Sequence, residues 1–126
     1  MKRLIPASVL LVLIITACIC TKAVVGNICS KTRQLAETCE SLCIEGNFEE
    51  AAEISKQLKN QWEKDSKIVM IFVNHELCDE LSIFANRLHY HCLSGNTDFV
   101  FWNTSDIKSL LHQITVEQSL TALSFY

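Results

Sequence analysis

The stretch Ile68-Val69-Met70-Ile71-Phe72-Val73 decides the fold. Six consecutive apolar residues, four of them β-branched, suit a buried strand or a buried helix by composition alone. A strand here would make the chain a mixed α and β protein, and a helix makes it all-α. The flanks favour a buried helix. Trp62, Val69, Val73 and Leu77 keep helical spacing, and no turn residue interrupts the run before Asn74. A bend or break is expected between Asn74 and Asp79.

The same period extends outward on both sides. Downstream, Leu77, Leu81, Phe84, Ala85, Leu88 and Cys92 form one apolar stripe that stops at Gly95. Asn96 or Thr97 then opens a last helix carrying Val100, Ile107, Leu110, Leu111 and Ile114, and Val116 to Tyr126 is expected as a short terminal helix. Upstream, Phe48, Ala51, Ala52, Ser55, Leu58 and Trp62 form a stripe. A further one runs through Ile28, Leu35, Cys39, Leu42 and Cys43. Gly46 suits the left-handed position after a helix, and Asn47 with Glu50 makes a capping box for the next. Cys43-Ile44-Glu45-Gly46-Asn47 is echoed by Cys92-Leu93-Ser94-Gly95-Asn96, each joining two helices as in an αα-hairpin. Two copies at this separation do not make a repeat array.

The N-terminus is a different material. Leu4 to Thr21 holds no charged residue, and a helix of that length spans about 27 Å, close to the hydrocarbon thickness of a bilayer. Lys2 and Arg3 precede it. The favoured reading is an uncleaved membrane anchor, with residues 4–21 in the bilayer. A cleaved export signal is the other. In its sharper form Ile15-Thr16-Ala17-Cys18 resembles a lipobox, with Cys18 as the lipidation site.

The net charge of −3 hides an uneven division. Residues 1–26 carry +3 and residues 27–126 carry −6. An acidic body argues against nucleic-acid binding. With 126 residues, 3 glycines and 1 proline, the chain fits one helical domain rather than a many-turned β-sandwich or barrel. The expected division is 1–26 as anchor or export signal and 27–126 as bundle. Basic residues on both sides of the apolar segment nearly balance. The export-like start places the body outside the cell.

Several motifs together resemble the domain-of-unknown-function family four-three-six-three, small membrane-anchored proteins of spore-forming Gram-positive bacteria. They are the basic start and apolar segment, Asn47-Phe48-Glu49-Glu50-Ala51, Leu58, Gln61-Trp62-Glu63-Lys64, Val73-Asn74-His75-Glu76, Leu110-Leu111-His112-Gln113-Ile114, Glu117 and Leu120. The resemblance covers almost the whole chain. Phe48 departs from it, standing where tryptophan is expected, as do the many cysteines and the strongly apolar 68–73 run. It implies an all-helical, membrane-tethered module and supplies no catalytic residues.

The side chains offer little catalytic chemistry. His75 with Cys78, and His89 with Cys92, are weak metal candidates by helical spacing, as soft ligands at such offsets share a face. Cys39 and Cys43 share a face in the same way. There is no Cys-x-x-Cys, and His75-Glu76 does not continue into His-Glu-x-x-His, so no metal or other cofactor is expected. Five cysteines lie beyond the apolar segment, an odd number that cannot all pair within the chain, and no bridge is expected. Asn103-Thr104-Ser105 fits the glycosylation pattern but is expected to be fortuitous. Phe99-Val100-Phe101-Trp102 cannot all face one helix interior, so Phe99, Phe101 and Trp102 are a candidate partner surface.

The expectation is an all-α protein: an N-terminal membrane helix followed by an antiparallel bundle of three to four helices. The expected role is a non-enzymatic interaction or scaffold module at the cell envelope, with a protein partner or a second copy as its target. The alternative is a lipid-anchored ligand- or metal-binding protein held through Cys18.

Overall fold

The apolar run continues a helix to Phe72. In the computed structural model, which describes residues 4–124 and the side-chain surroundings of residues 4–118, α2 spans Phe48–Phe72. The other helices are α1 Leu4–Ile44, α3 His75–Ser94 and α4 Thr97–Ser124, and no strand occurs among the described residues. Lys2, Arg3 and Tyr126 lie outside the described residues, as does the side chain of Leu120.

The 68–73 run is less buried than expected. Val69 and Val73 are buried, but Ile71 is 73% exposed and Ile68 is also exposed. Residues three apart lie on one helix face, so only one side of the run reaches the core. The break falls at its end. Val73 turns extended, with its N–H bonded to the Val69 carbonyl at 3.0 Å, and the Asn74 side chain accepts from the Glu76 N–H at 3.0 Å to start α3. The Asn74 N–H donates to Glu117 Oε1 of α4 at 3.2 Å, tying this turn to the neighbouring helix.

The other two turns follow the expected chemistry. Gly46 and Gly95 take φ of +80° and +69°, a region that side chains with a Cβ avoid. Asn47 Oδ1 accepts from the Glu50 N–H while Asn47 Nδ2 donates to Glu50 Oε2, so cap and third residue bind reciprocally. Asn96, rather than Thr97, caps α4, accepting from the Phe99 N–H at 3.4 Å. The two turns are neighbours, since the Phe48 ring lies 3.9 Å from where a Cβ on Gly95 would sit.

The four helices close a ring, α1 against α2 and α4, and α3 against α2 and α4. The segment from Val116 to Ser124 is not separate; it completes α4. Val25, Trp62, Val69, Leu81, Leu88, Ile107, Leu111 and Ile114 are among the buried core.

α1 is far longer than its partners. Its 41 residues span about 62 Å against about 38 Å for the 25 of α2. Burial on it begins at Val25, and the helix runs unbroken through the expected boundary at residue 26. Before that point Leu4, Ile5, Val9 to Ile15 and Ile19 are exposed all round. A helix of a water-soluble bundle covers one apolar face. This one covers none, and α1 is long and apolar enough to cross a membrane. The Thr16 and Thr21 hydroxyls donate to the carbonyls of Val12 and Ala17, both at 2.8 Å, so neither needs water. By length and composition the same helix also suits a signal sequence.

Candidate functional site

The end of the bundle remote from the apolar segment gathers most of the reactive side chains. Here α1 and α3 finish and α2 and α4 begin, and the facing residues are small: Ala36, Cys39, Cys43, Ala51, Ala52, Ser55 and Cys92 are all buried. Small side chains let helices approach closely. The thiols of Cys39 and Cys43 and the hydroxyl of Ser55 lie near enough to the Cys92 sulfur to influence its acidity. Cys39 Sγ also reaches the Ala51 carbonyl at 3.7 Å. His89, one turn before Cys92, sets Nδ1 3.0 Å from Ser55 Oγ and 3.1 Å from the Ala52 carbonyl. Three helices thus meet in one polar layer within an apolar interior.

This layer pushes its thiols apart in acidity. The hydrogen bond from Cys39 lowers the pKa of Cys92 to about 7, against the opposing effect of burial, and Ser55 and Cys43 help. Cys39 is raised, chiefly through that same bond to Cys92 and then by burial. Burial, with Cys92 nearby, pushes Cys43 up to about 12. The three act as one coupled group in which Cys92 most readily carries the negative charge. An open cleft of about 580 Å³ lies over the α2–α3 seam, lined among others by Phe48, Glu49, Glu53, His89 and Cys92.

An aromatic cap lies beside this layer. His91 stacks on Phe99 at 4.8 Å between centroids, Phe99 meets Trp102 edge-on at 5.1 Å, and Tyr90 meets His91 at 5.5 Å. Trp102 is 62% exposed, and Tyr90, Leu93, Phe99 and Ile44 are also exposed. Val100 points inward and Phe101 is half-buried, so the four-residue run divides between core and surface. On the α1–α4 seam, Lys108 Nζ lies 3.1 Å from both Glu40 carboxylate oxygens, and the Thr104 hydroxyl donates to the same carboxylate.

The family model described as Domain of unknown function (DUF4363) matches residues 19–122. The chain belongs to this family. No curated protein and no solved structure matches it significantly. The matched span takes in α2, α3, the bundled part of α1 and nearly all of α4, and leaves out most of the apolar segment.

The sequence candidates separate along α3. His75 and Cys78 sit at its start and His89 and Cys92 near its end, with about 21 Å of helix between the pairs. His75 is exposed while Cys78 is buried. Among the described residues no group of three or more His, Cys, Asp or Glu is placed to hold a metal. Cys18 lies half-buried within continuous α1 helix. Asn103 is only 6% exposed, so the folded chain does not present its amide for glycosylation.

Sequence reasoning missed the meeting of Cys39 and Cys43 with Cys92. Cys43 and Cys92 occupy equivalent places before Gly46 and Gly95, and that echo was the available signal. It becomes a contact because the two turns lie side by side. The Glu40–Lys108 pair had no sequence signal, its members lying 68 positions apart.

Proposed function

We propose that this protein is a non-enzymatic interaction module. The apolar part of α1 holds it as a single-pass anchor, with the bundle on the extracytoplasmic side. The observation that carries the reading is the exposed cap of Tyr90, Phe99 and Trp102 at the end farthest from the apolar segment. Exposed apolar groups that cluster, rather than scatter, are the usual mark of a binding surface. The stretches that build this end, 34–58 and 85–108, hold eight acidic residues against three basic ones, while the rest of the bundle is nearly balanced. A partner suited to this end presents an apolar centre with a basic rim. The helix acts as a spacer, fixing the cap at a set height above the bilayer.

A photoactivatable crosslinker placed at Trp102, in native membranes, tests the reading. The expected adducts form at 102, weaken as salt is raised, and are absent from the same probe at Ser109. Equal yields at both positions, or none at 102, overturn it. Mass spectrometry of the membrane-extracted chain tests the anchor. A peptide retaining Met1 is expected, whereas a diacylated Cys18 at a new N-terminus overturns the transmembrane assignment.

A further inference from the structure

We propose that the end of α2 nearest the apolar segment rests on the same bilayer that holds α1. Ile68 and Ile71 lie at the headgroup–acyl boundary, and Lys64 and Lys67 meet the lipid phosphates above them. This rests on the anchor reading of α1. Three observations lead there. First, Ile68 and Ile71 are exposed, and they share one side of α2 with Lys64 and Lys67, also exposed, since these positions are three and four apart. Secondly, that side is ordered: the two lysines come first and the two isoleucines follow, toward the α2–α3 turn. Thirdly, the heights agree. α2 returns along α1 after a short turn, and Cys39 Sγ reaching the Ala51 carbonyl at 3.7 Å sets the register of the two helices. The step from Ala51 to Ile71 and the equal step from Cys39 back to Ile19 are each about 30 Å of helix. Ile71 is therefore about level with Ile19, and Ile68 with Lys22. Lys22 is the first charged residue after the apolar segment, so both helices change from apolar to charged at one height.

The chemistry of this face suits a lipid surface. An isoleucine at the acyl boundary leaves water, while a lysine one turn higher lays its stem along apolar surface and sets its ammonium among phosphates. Anionic headgroups attract basic residues at that height. Of the acids on this part of α2, Asp65 is buried and Glu63 lies above both pairs. Glu76, Glu80 and Glu117 line the α3–α4 seam instead, so the α2 side is the one that turns to an anionic surface. The turn after Phe72 is polar but meets part of its own demand. The Asn74 N–H donates to Glu117, and the Asn74 side chain accepts from the Glu76 N–H. It suits the headgroup zone rather than the hydrocarbon. A single helix crossing the bilayer leaves the tilt of the bundle free. This second contact fixes the tilt, and with it the direction in which the Trp102 cap faces.

A photoactivatable amino acid at Ile71 tests this, in the full chain reconstituted into vesicles of phosphatidylcholine with phosphatidylglycerol. Lipid adducts are expected at 71 and are expected to be absent from the same probe at Ile83, which is also exposed but lies higher on α3. Lys64→Gln/Lys67→Gln should lower the yield at 71 several-fold in these vesicles and leave it unchanged in phosphatidylcholine alone. The same probe at Leu11 reads the anchor. Lipid adducts at Leu11 with none at Ile71 overturn this proposal and spare the anchor, whereas adducts at neither overturn both. Equal lipid yields at 71 and 83 also overturn it. So do adducts at 71 to protein, a second copy of this chain included, in place of lipid, or a yield in the anionic vesicles that the lysine changes leave unaltered. The Trp102 crosslinking result has no bearing on this one, so either can fail alone.

Discussion

The two ends of the bundle are packed on different principles. Toward the apolar segment the core is built mainly from large side chains, with Ile28, Trp62, Val69, Leu81, Leu111 and Ile114 all buried and Cys29, Thr32 and Cys78 set among them. At the far end alanines, cysteines and Ser55 face one another, with Leu88 and Val100 beside them. Large side chains contribute most of the transfer free energy and dispersion, so the first end carries most of the stability. Small ones bury less area but bring sulfur, hydroxyl and imidazole groups within bonding distance. Large-side-chain packing and polar side-chain contacts are therefore separated along the bundle, and the polar layer lies farthest from the apolar segment.

Removing the largest side chain should break the comparison first if it is wrong. Trp62 is fully buried, and its indole N–H donates to Ser82 Oγ at 3.1 Å and to the Cys78 carbonyl at 3.3 Å. The Ser82 hydroxyl still donates to that carbonyl at 3.0 Å when the indole is gone. The loss is thus mainly a cavity, and Trp62→Ala is expected to cost about 3–5 kcal/mol in denaturant unfolding. Ser55→Ala at the far end is expected to cost only about 1 kcal/mol. Equal losses would show that stability is spread evenly.

Enlarging a small residue probes the other end. Ala51 is fully buried where Cys39 reaches its carbonyl, so Ala51→Leu must force the helices apart and should cost about 1–3 kcal/mol. Leu81→Met among the large side chains keeps volume and should cost under about 1.5 kcal/mol. The close-packing account fails if Ala51→Leu is the milder change in the same unfolding assay.

The large-residue end was legible in the sequence and the small-residue end was not, for a physical reason. Periodicity marks which residues face inward, and it placed Leu58, Trp62, Leu81, Leu88, Ile107 and Ile114 correctly. Turn chemistry at Gly46-Asn47 and Gly95-Asn96 fixed the helix ends. Which inward residues meet depends on the ring order of the helices, and no local pattern encodes that. Cys39, Cys43 and Cys92 read as small apolar core residues for this reason. The 68–73 run shows the converse limit. Its composition suggested full burial, but a helix in a ring of four turns only one side inward, leaving Ile68 and Ile71 exposed.

A pH series separates the ends through their thiols. Burial first, and then Asp79 and other neighbours, pushes Cys78 up to about 11 from the ordinary 9.0. Above pH 9 the unfolded thiol loses its proton while the folded one keeps it, so the unfolded state binds fewer protons and stability falls as pH rises. Cys39 and Cys43, also raised, act in the same sense. Cys92 acts oppositely. With its folded value lowered to about 7, its contribution grows between about pH 7 and 9. The melting temperature is expected to change little up to pH 9 and to fall from there to pH 11. Cys78→Ala should make that fall shallower. A melting temperature still rising at pH 10 contradicts the assignment.

The smallest expected effect concerns a polar group inside the far end. Asn103 lies between Val100 and Ile107 on the inward face of α4. Among the described residues, its Nδ2 is a buried donor with no hydrogen-bond partner. A buried donor without a partner keeps its full desolvation cost, and an apolar side chain of similar size removes that cost while filling the same space. Asn103→Leu should therefore leave stability unchanged or raise it by up to about 1 kcal/mol, read from the denaturation midpoint at constant slope. A loss above about 1 kcal/mol would mean that the amide gains a bond in solution. Asn103 would then join Ser55 and His89 in the polar layer, and that layer would extend from α3 across to α4.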